Sequence, residues 1–339
     1  MTLRLTWLGV ANWLFEAGDT QILYNAYFSR IPQEEFYGGP IEFDHARAPR
    51  VPDKETVADV VAAVSGERGI GYVFTGHSHF DHTFDVAAVA ELTGARVVGS
   101  RSTKYQALAQ GIPAGQCTEV SGGEHLVLAD GLEVWVVRWD HGLADVAPEI
   151  SEPRELAAVP VPDPETGGLY AGALDAFPNG GGSRGYLFSW HTGETRLTWF
   201  VIDASAVGDP QRPVVVDGVD HGRPFDNLRD AMADAGIERV DLWIGPGMGL
   251  PDAEESVAGA MPLLRPRVFI PHHFDSIFAP FHDGIGPDSE FSSPAIEDTA
   301  ARAGASLHVP QRYLDGWQLT GGGLAPVDTT GLRRRLGLP

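Results

Sequence analysis

The chain is poor in cysteine, in lysine and in long apolar runs, and each shortage narrows what it can be. A single cysteine, Cys117, in 339 residues rules out an intrachain disulfide and gives no mark of an oxidising compartment. Cys117 reads as a packing residue. Only Lys54 and Lys104 carry ammonium groups, and 24 basic against 46 acidic residues leave a formal charge of −22. So negative a chain repels phosphate backbones and anionic lipid. Neither nucleic acid nor a membrane is an expected partner; a small-molecule substrate is. No stretch approaches the ~18 apolar residues of a membrane span. Residues 1–8 lack a basic start and a long apolar core, so they read as a strand, and a cytoplasmic protein is the expectation.

What is present is an ordinary globular composition, 43% hydrophobic and 21% charged, ample for one large α/β domain or two smaller ones. We read residues 1–339 as one. Short aromatic and aliphatic runs at 3–8, 12–16 and 20–24, separated by Gly9 and by Gly18-Asp19, predict an opening β-meander. Val57, Val60, Val61 and Val64 recur at helical spacing over 54–64. A strand over 70–75 then leads into a His-rich loop, followed by a helix over 84–92. Strands are predicted at 96–99, 124–128 and 132–137, with Asp130-Gly131 as the hairpin turn between the last two. Residues 142–183 are Pro/Gly-rich and too long for a passive connector, so they predict a lid or insertion. Further strands fall at 185–190, 195–202, 240–244 and 268–271, and helices near 227–235, 253–264 and 295–303. Two strand-rich halves, each followed by helices, suit a four-layer sandwich.

The chemistry is concentrated in Thr75-Gly76-His77-Ser78-His79-Phe80-Asp81-His82. At an extended strand end, alternate side chains share a face, so His77 and His79 can reach one ion, and the following turn brings Asp81 and His82 beside it. Imidazole and carboxylate together suit zinc, and also iron or manganese. The competing reading is an ordinary strand-to-helix loop in which Asp81 caps a helix starting near Thr83.

This H-x-H-x-D-H pattern resembles the metallo-β-lactamase superfamily. The resemblance runs in motif order from Thr6-Trp7-Leu8-Gly9 and Gln21-Ile22-Leu23-Tyr24-Asn25 to Pro271-His272-His273-Phe274-Asp275, and is nearest to the broad L-ascorbate-6-phosphate lactonase-like branch. It implies a four-layer αββα sandwich and two divalent metal ions, most simply zinc. It also implies three later ligands, matched here by His141, Asp203 and His273. The first ion would be held by His77, His79 and His141, and the second by Asp81, His82 and His273, with Asp203 bridging. Asp140 and His125 compete with His141, and His272 competes with His273. Asp275 is either a supporting residue or a helix cap. A metal-bridging hydroxide would then attack a small ester, lactone, amide or phosphoester, with Asp81 and Asp203 as the catalytic carboxylates. The positive end of the helix near Thr83 would favour an anionic intermediate.

Two positions depart from the family pattern. Asn25 stands where an Asp is usual, and Ile202 stands where a Gly usually precedes the bridging Asp. Neutral Asn can donate as well as accept, which ionised Asp cannot. An iron-dependent oxidoreductase on the same fold is the rival reading, weakened by His79 where flavodiiron proteins usually carry Glu. A non-hydrolytic, metal-stabilised binding protein is a third. No lysine sits in the motifs as an anion clamp. Arg184, Arg223 and Arg229 read as surface charges, and Tyr170, Phe177 and Tyr186 as core or surface packing.

Overall fold

A period-two alternation runs through the strands of the second half and decides the layers. Leu132, Val134, Val136, Tyr186, Phe188, Leu197, Trp199, Val201, Leu242, Ile244, Val268 and Ile270 belong to one buried cluster. Their neighbours Trp135, Val137, Leu187, Phe200, Trp243 and Phe269 belong to another. Strands apolar on both faces must be covered on both faces, and that is the arrangement seen. The computed structural model describes residues 1–36, 48–66, 68–142, 148–203, 212–248, 250–286 and 289–339.

Two large sheets face one another. The first has eight strands: Gly323–Val327, Gly316–Thr320, Leu3–Trp7, Trp13–Ala17, Thr20–Tyr24, Tyr72–Phe74, Arg96–Gly99 and Cys117–Glu119, in that spatial order. The second has seven: Ser306–Leu307, Val268–His272, Leu242–Pro246, Thr195–Val201, Arg184–Thr192, Leu132–Arg138 and His125–Ala129. Phe15 and Phe74 of the first sheet meet Phe188 and Tyr186 of the second, with Phe74 and Tyr186 edge to face at 5.0 Å. Helices Lys54–Val64 and Val86–Thr93 bury valines and alanines on the side of the first sheet. Pro224–Asp234, Pro251–Leu264 and Pro294–Ala303 cover the second. The result is the predicted αββα sandwich.

Helix Lys54–Val64 has its predicted bounds, because Asp53 caps it by accepting from the amides of Glu55 and Thr56. Helix Arg101–Ala109 had no apolar stripe to announce it, since Ser102, Thr103 and Gln106 are among its buried residues. The hairpin Gly316–Thr320/Gly323–Val327 pairs beside Leu3–Trp7, a contact between chain ends that local patterning does not carry. After the His-rich loop the first helical turn is Phe80–Thr83, starting three residues earlier than the sequence suggested, with Val86–Thr93 following as a separate helix. No helix among the described residues is long and apolar enough to cross a membrane.

The predicted insertion packs beside the His-rich loop from residue 148 onward; residues 143–147 lie outside the described residues. It has little regular structure: a turn of helix at Pro148–Ser151 and a two-residue strand, Leu169–Tyr170, paired with Pro49–Arg50. Hydrogen bonds fasten it. Ser78 Oγ donates to the Pro178 carbonyl at 2.6 Å, and the Gln106 amide bridges the carbonyls of Ser78 and Ala176 at 2.9 and 2.8 Å.

Candidate metal centre

Strands running in a common direction deliver their ends to one place. Thr20–Tyr24 and Tyr72–Phe74 are parallel neighbours in the first sheet, and Thr195–Val201, Leu242–Pro246 and Val268–His272 in the second. Asn25, His77, Asp203 and His273 follow directly from their C-terminal ends, where α/β folds place ligands. Leu132–Arg138 ends on the same side and leads to His141. Three non-glycine residues here, Val10, Asn25 and His273, adopt left-handed backbone conformations with φ of 50°, 58° and 61°. For a β-branched valine that is a strained state, of the kind that functional sites retain.

The imidazoles fall into two groups. His77 Nε2 and His79 Nδ1 are 2.9 Å apart, and the His141 ring centre is 4.7 and 4.8 Å from theirs. In the second group Asp81 Oδ2 lies 3.3 Å from His82 Nε2 and 3.2 Å from His273 Nε2. Between them, Asp203 sets Oδ1 3.1 Å from His77 Nδ1 and Oδ2 3.1 Å from His82 Nδ1. His77, His79 and His141 form one set close enough to hold an ion, Asp81, His82 and His273 another, and His77, His82 and Asp203 a third that joins them, with the His77 and His82 ring centres 4.0 Å apart. His77, His82 and Asp203 are the floor, at 1%, 1% and 0% exposure, while His79, Asp81 and His141 at 6–7% reach the solvent side.

The outer ring nitrogens of His77, His79, His82 and His141 are occupied by the protein. His79 Nε2 donates to the Ile150 carbonyl at 3.1 Å, and His141 Nδ1 donates to the Gly142 carbonyl at 3.3 Å. Each such bond fixes the proton on one nitrogen and leaves a lone pair on the other, as metal-ligating histidines require. His272 is different. It accepts from Trp13 Nε1 through Nδ1 at 3.0 Å and donates to the Ile202 carbonyl through Nε2 at 2.7 Å, so neither nitrogen is free. His273, turned the other way by its left-handed backbone, is the one that faces Asp81.

Charge points the same way. Burial holds His77 neutral, down at about 3, and burial with the neighbouring rings lowers His79. Burial also disfavours charge on His82, yet the Asp81 and Asp203 carboxylates prevail and raise it to about 10. Both carboxylates are held well below their ordinary range by the histidines despite burial. Two buried anions thus draw positive charge onto His82 beside the neutral rings of His77, His79 and His141, and divalent ions would meet the same demand.

The surroundings enforce this geometry. Gly76 donates to Asn25 Oδ1 at 3.2 Å, and a Cβ on Gly76 would stand 2.1 Å from Asp203 Oδ1. Gly76→Ala is therefore expected to displace the Asp203 carboxylate, destabilise the fold by ~1–3 kcal/mol and weaken metal binding at least ~10-fold. Thermal melts and a zinc titration check it; parent-like zinc affinity would show that Asp203 has no fixed place.

The other candidates sort clearly. His125 lies on the second sheet's edge strand, stacked on Trp135 and paired with Glu133. Asp140 accepts from the His141 amide at 2.8 Å. Asp81 is no helix cap, since the cap position is His79 and the carboxylate points to His82 and His273. Asp275 caps no helix either: it accepts from the Val10 amide at 2.9 Å and from Tyr313 Oη at 2.6 Å, tying the His273 turn to the opening loop. Arg184 is a correction. It is fully buried, bonded to Glu155 and to the carbonyls of Val120, Gly180 and Gly182, because partners from separate segments enclose it. Arg223 and Arg229 are exposed beside Asp226. Cys117 is half-buried and outside the cluster. Phe177 and Tyr186 are core residues, and Tyr170 is exposed.

Comparison with known proteins bears on the fold. A metallo-hydrolase, Igni18 from Ignicoccus hospitalis, superposes with a TM-score of 0.52 at 15% identity, over 94% of this chain and 99% of that one. The Bacillus subtilis protein YhfI, described as a metallo-β-lactamase fold protein, superposes with a TM-score of 0.50 at 10% identity, over 94% and 99%. This chain has the metallo-β-lactamase fold. In sequence, a metal-dependent hydrolase of the UPF0173 group from Pyrobaculum islandicum is 30% identical over 70 residues, 21% of this chain and 31% of that protein. The chain thus matches about a third of the length of its curated relatives. No family model matches. On a metallo-β-lactamase fold the two groups of ligand-type residues stand at the end of the sandwich where the strands deliver them.

Proposed function

We propose that the protein is a metal-dependent hydrolase of small uncharged esters, lactones or related substrates, with a two-ion centre. His77, His79 and His141 would hold one ion, Asp81, His82 and His273 the other, and Asp203 the space between. The observation that carries this is the geometry of the two ion-sized groups, with the outer nitrogens of His77, His79, His82 and His141 engaged by the protein. A pair of divalent ions, most simply zinc, supplies a water of lowered pKa and polarises the bond under attack. The chain's own part is to place them. Asp81 lies on the open side with an oxygen between two Nε2 atoms, well placed to take a proton from substrate water. The fragmentary match to metal-dependent hydrolases favours the same reaction class.

The substrate preference follows from charge and from the nearby apolar cluster. Lys54 and Lys104 pair with Glu91 and Glu119 at the surface, and Arg184 is engaged by Glu155 and backbone carbonyls. Phe80, placed between His79 and Asp81 in sequence, packs edge to face on Tyr27 at 5.5 Å and stacks with Phe278 at 6.4 Å. An apolar flank favours a neutral, hydrophobic group.

The test is turnover of a panel of lactones, aryl esters, amides and phosphodiesters by protein purified without chelator. Hydrolysis of a neutral ester or lactone that stops on chelation and returns with zinc is the expected result. Zinc-loaded protein that turns over none of them would contradict it, and iron with oxygen consumption would favour the oxidoreductase.

A further inference from the structure

We infer that Asn25 is a positioning residue whose side-chain amide holds the Asp203 carboxylate across His77 and His82, so that both rings present Nε2 to the metals. The inference rests on the two-ion centre above and concerns how this chain orients it.

Asn25 is fully buried at the end of strand Thr20–Tyr24, in a left-handed conformation that asparagine tolerates better than most residues. Four partners surround its side chain. Oδ1 accepts from the Gly76 amide at 3.2 Å, which fixes which end of the side chain is oxygen. Nδ2 then faces Asp203 Oδ2 at 2.9 Å, the Ala11 carbonyl at 3.2 Å and His82 Nδ1 at 3.1 Å.

Proton counting decides among these three. Nδ2 has two hydrogens, and two of its neighbours, Asp203 Oδ2 and the Ala11 carbonyl, are pure acceptors. With both hydrogens given to them, His82 Nδ1 must carry its own proton and donate it to Asp203 Oδ2 at 3.1 Å. His77 Nδ1 donates to the other oxygen at 3.1 Å. Every donor then has an acceptor, and in the neutral form of each ring, the form a metal ligand takes, the lone pair lies on Nε2. His82 Nε2 is the atom beside Asp81 and His273, and His77 Nε2 the atom beside His79. The alternative, Asn25 donating to His82 Nδ1, puts the proton of a neutral His82 on Nε2, where it blocks a metal.

This arrangement also accounts for asparagine in place of the family's usual aspartate. A carboxylate at position 25 could accept from Gly76, but its second oxygen would stand against Asp203 Oδ2 with no proton between them. In this chain the Asp203 carboxylate is also held against the Nδ1 atoms of His77 and His82, and the amide is what keeps it there.

The test uses full-length protein carrying ¹⁵N-histidine, loaded with zinc, as parent, Asn25→Gly and Asn25→Asp. Glycine keeps the left-handed backbone without the amide; aspartate keeps the shape without the donor. Ring-nitrogen spectra of the parent are expected to show His77 and His82 protonated on Nδ1 and metal-bound through Nε2. In both variants the His82 pattern is expected to change, and zinc affinity to fall ~10–100-fold. A purely structural role would lower the melting temperature and leave the ring pattern as in the parent. Variants with the parent's ring pattern and affinity overturn the role of Asn25. A parent that takes up no zinc overturns the metal centre itself, which is a separate and separately visible failure.

Discussion

A protein with His79 and His273 both replaced by alanine is expected to fold, to hold no divalent metal tightly, and to lose ~10³-fold or more of its hydrolytic rate, about 4 kcal/mol of barrier. The pair is chosen because it takes one imidazole from each group and leaves the Asp203 brace whole: His77, His82 and Asn25 still bond that carboxylate. Replacing His77 or His82 instead would strip a buried anion of a partner, at ~3–5 kcal/mol, and would confuse lost metal with lost fold. Circular dichroism, zinc content and turnover are measured on the same preparation. Retained turnover in a folded, zinc-free variant would place the reaction elsewhere.

Acid is expected to destabilise the metal-free protein strongly between pH 7 and pH 5. His77 and His272 are buried neutral with pKa values lowered to about 3, chiefly by burial, and His79 and His141 are lowered as well. In the unfolded chain each titrates near its ordinary value of about 6.5. Below that value the unfolded state binds protons that the folded state refuses, so stability present above pH 6.5 is lost as the pH falls toward 3. At pH 5 the loss is roughly 2 kcal/mol for each of His77 and His272. His82 does not offset it: its pKa is raised to about 10, so its contribution is fully present below 6.5 and declines only as pH rises toward 10. The Asp81 and Asp203 carboxylates lose theirs only at lower pH still. Thermal melts of chelator-treated protein should show a midpoint that falls by on the order of 10 °C from pH 7 to pH 5. An unchanged or higher midpoint at pH 5 would contradict the neutral, buried state of these rings.

How much of this was legible in the sequence depends on distance along the chain. His77, His79, Asp81 and His82 lie within six residues, where strand-end alternation pairs His77 with His79 and the turn that follows brings Asp81 and His82 beside them. His141, Asp203 and His273 arrive from three other strands, so only the family pattern could single them out. The family pattern favoured His273 over His272, and the structure adds the physical reason, which lies in what Trp13 and Ile202 do with the His272 ring. Arg184 looked like surface charge for the same reason: its partners come from remote segments. Helix Arg101–Ala109 left no apolar trace, because its buried side toward the insertion is polar, with Gln106 bonded to Ala176. Asn25 was visible as a departure from pattern, but its significance lies in which atoms surround it.

Metal content is the most direct test of the whole account. Protein purified without chelator and passed through zinc should retain about two equivalents per chain by elemental analysis. Retention of no metal, in protein whose spectrum shows it folded, would contradict the assignment of these seven residues to a metal centre.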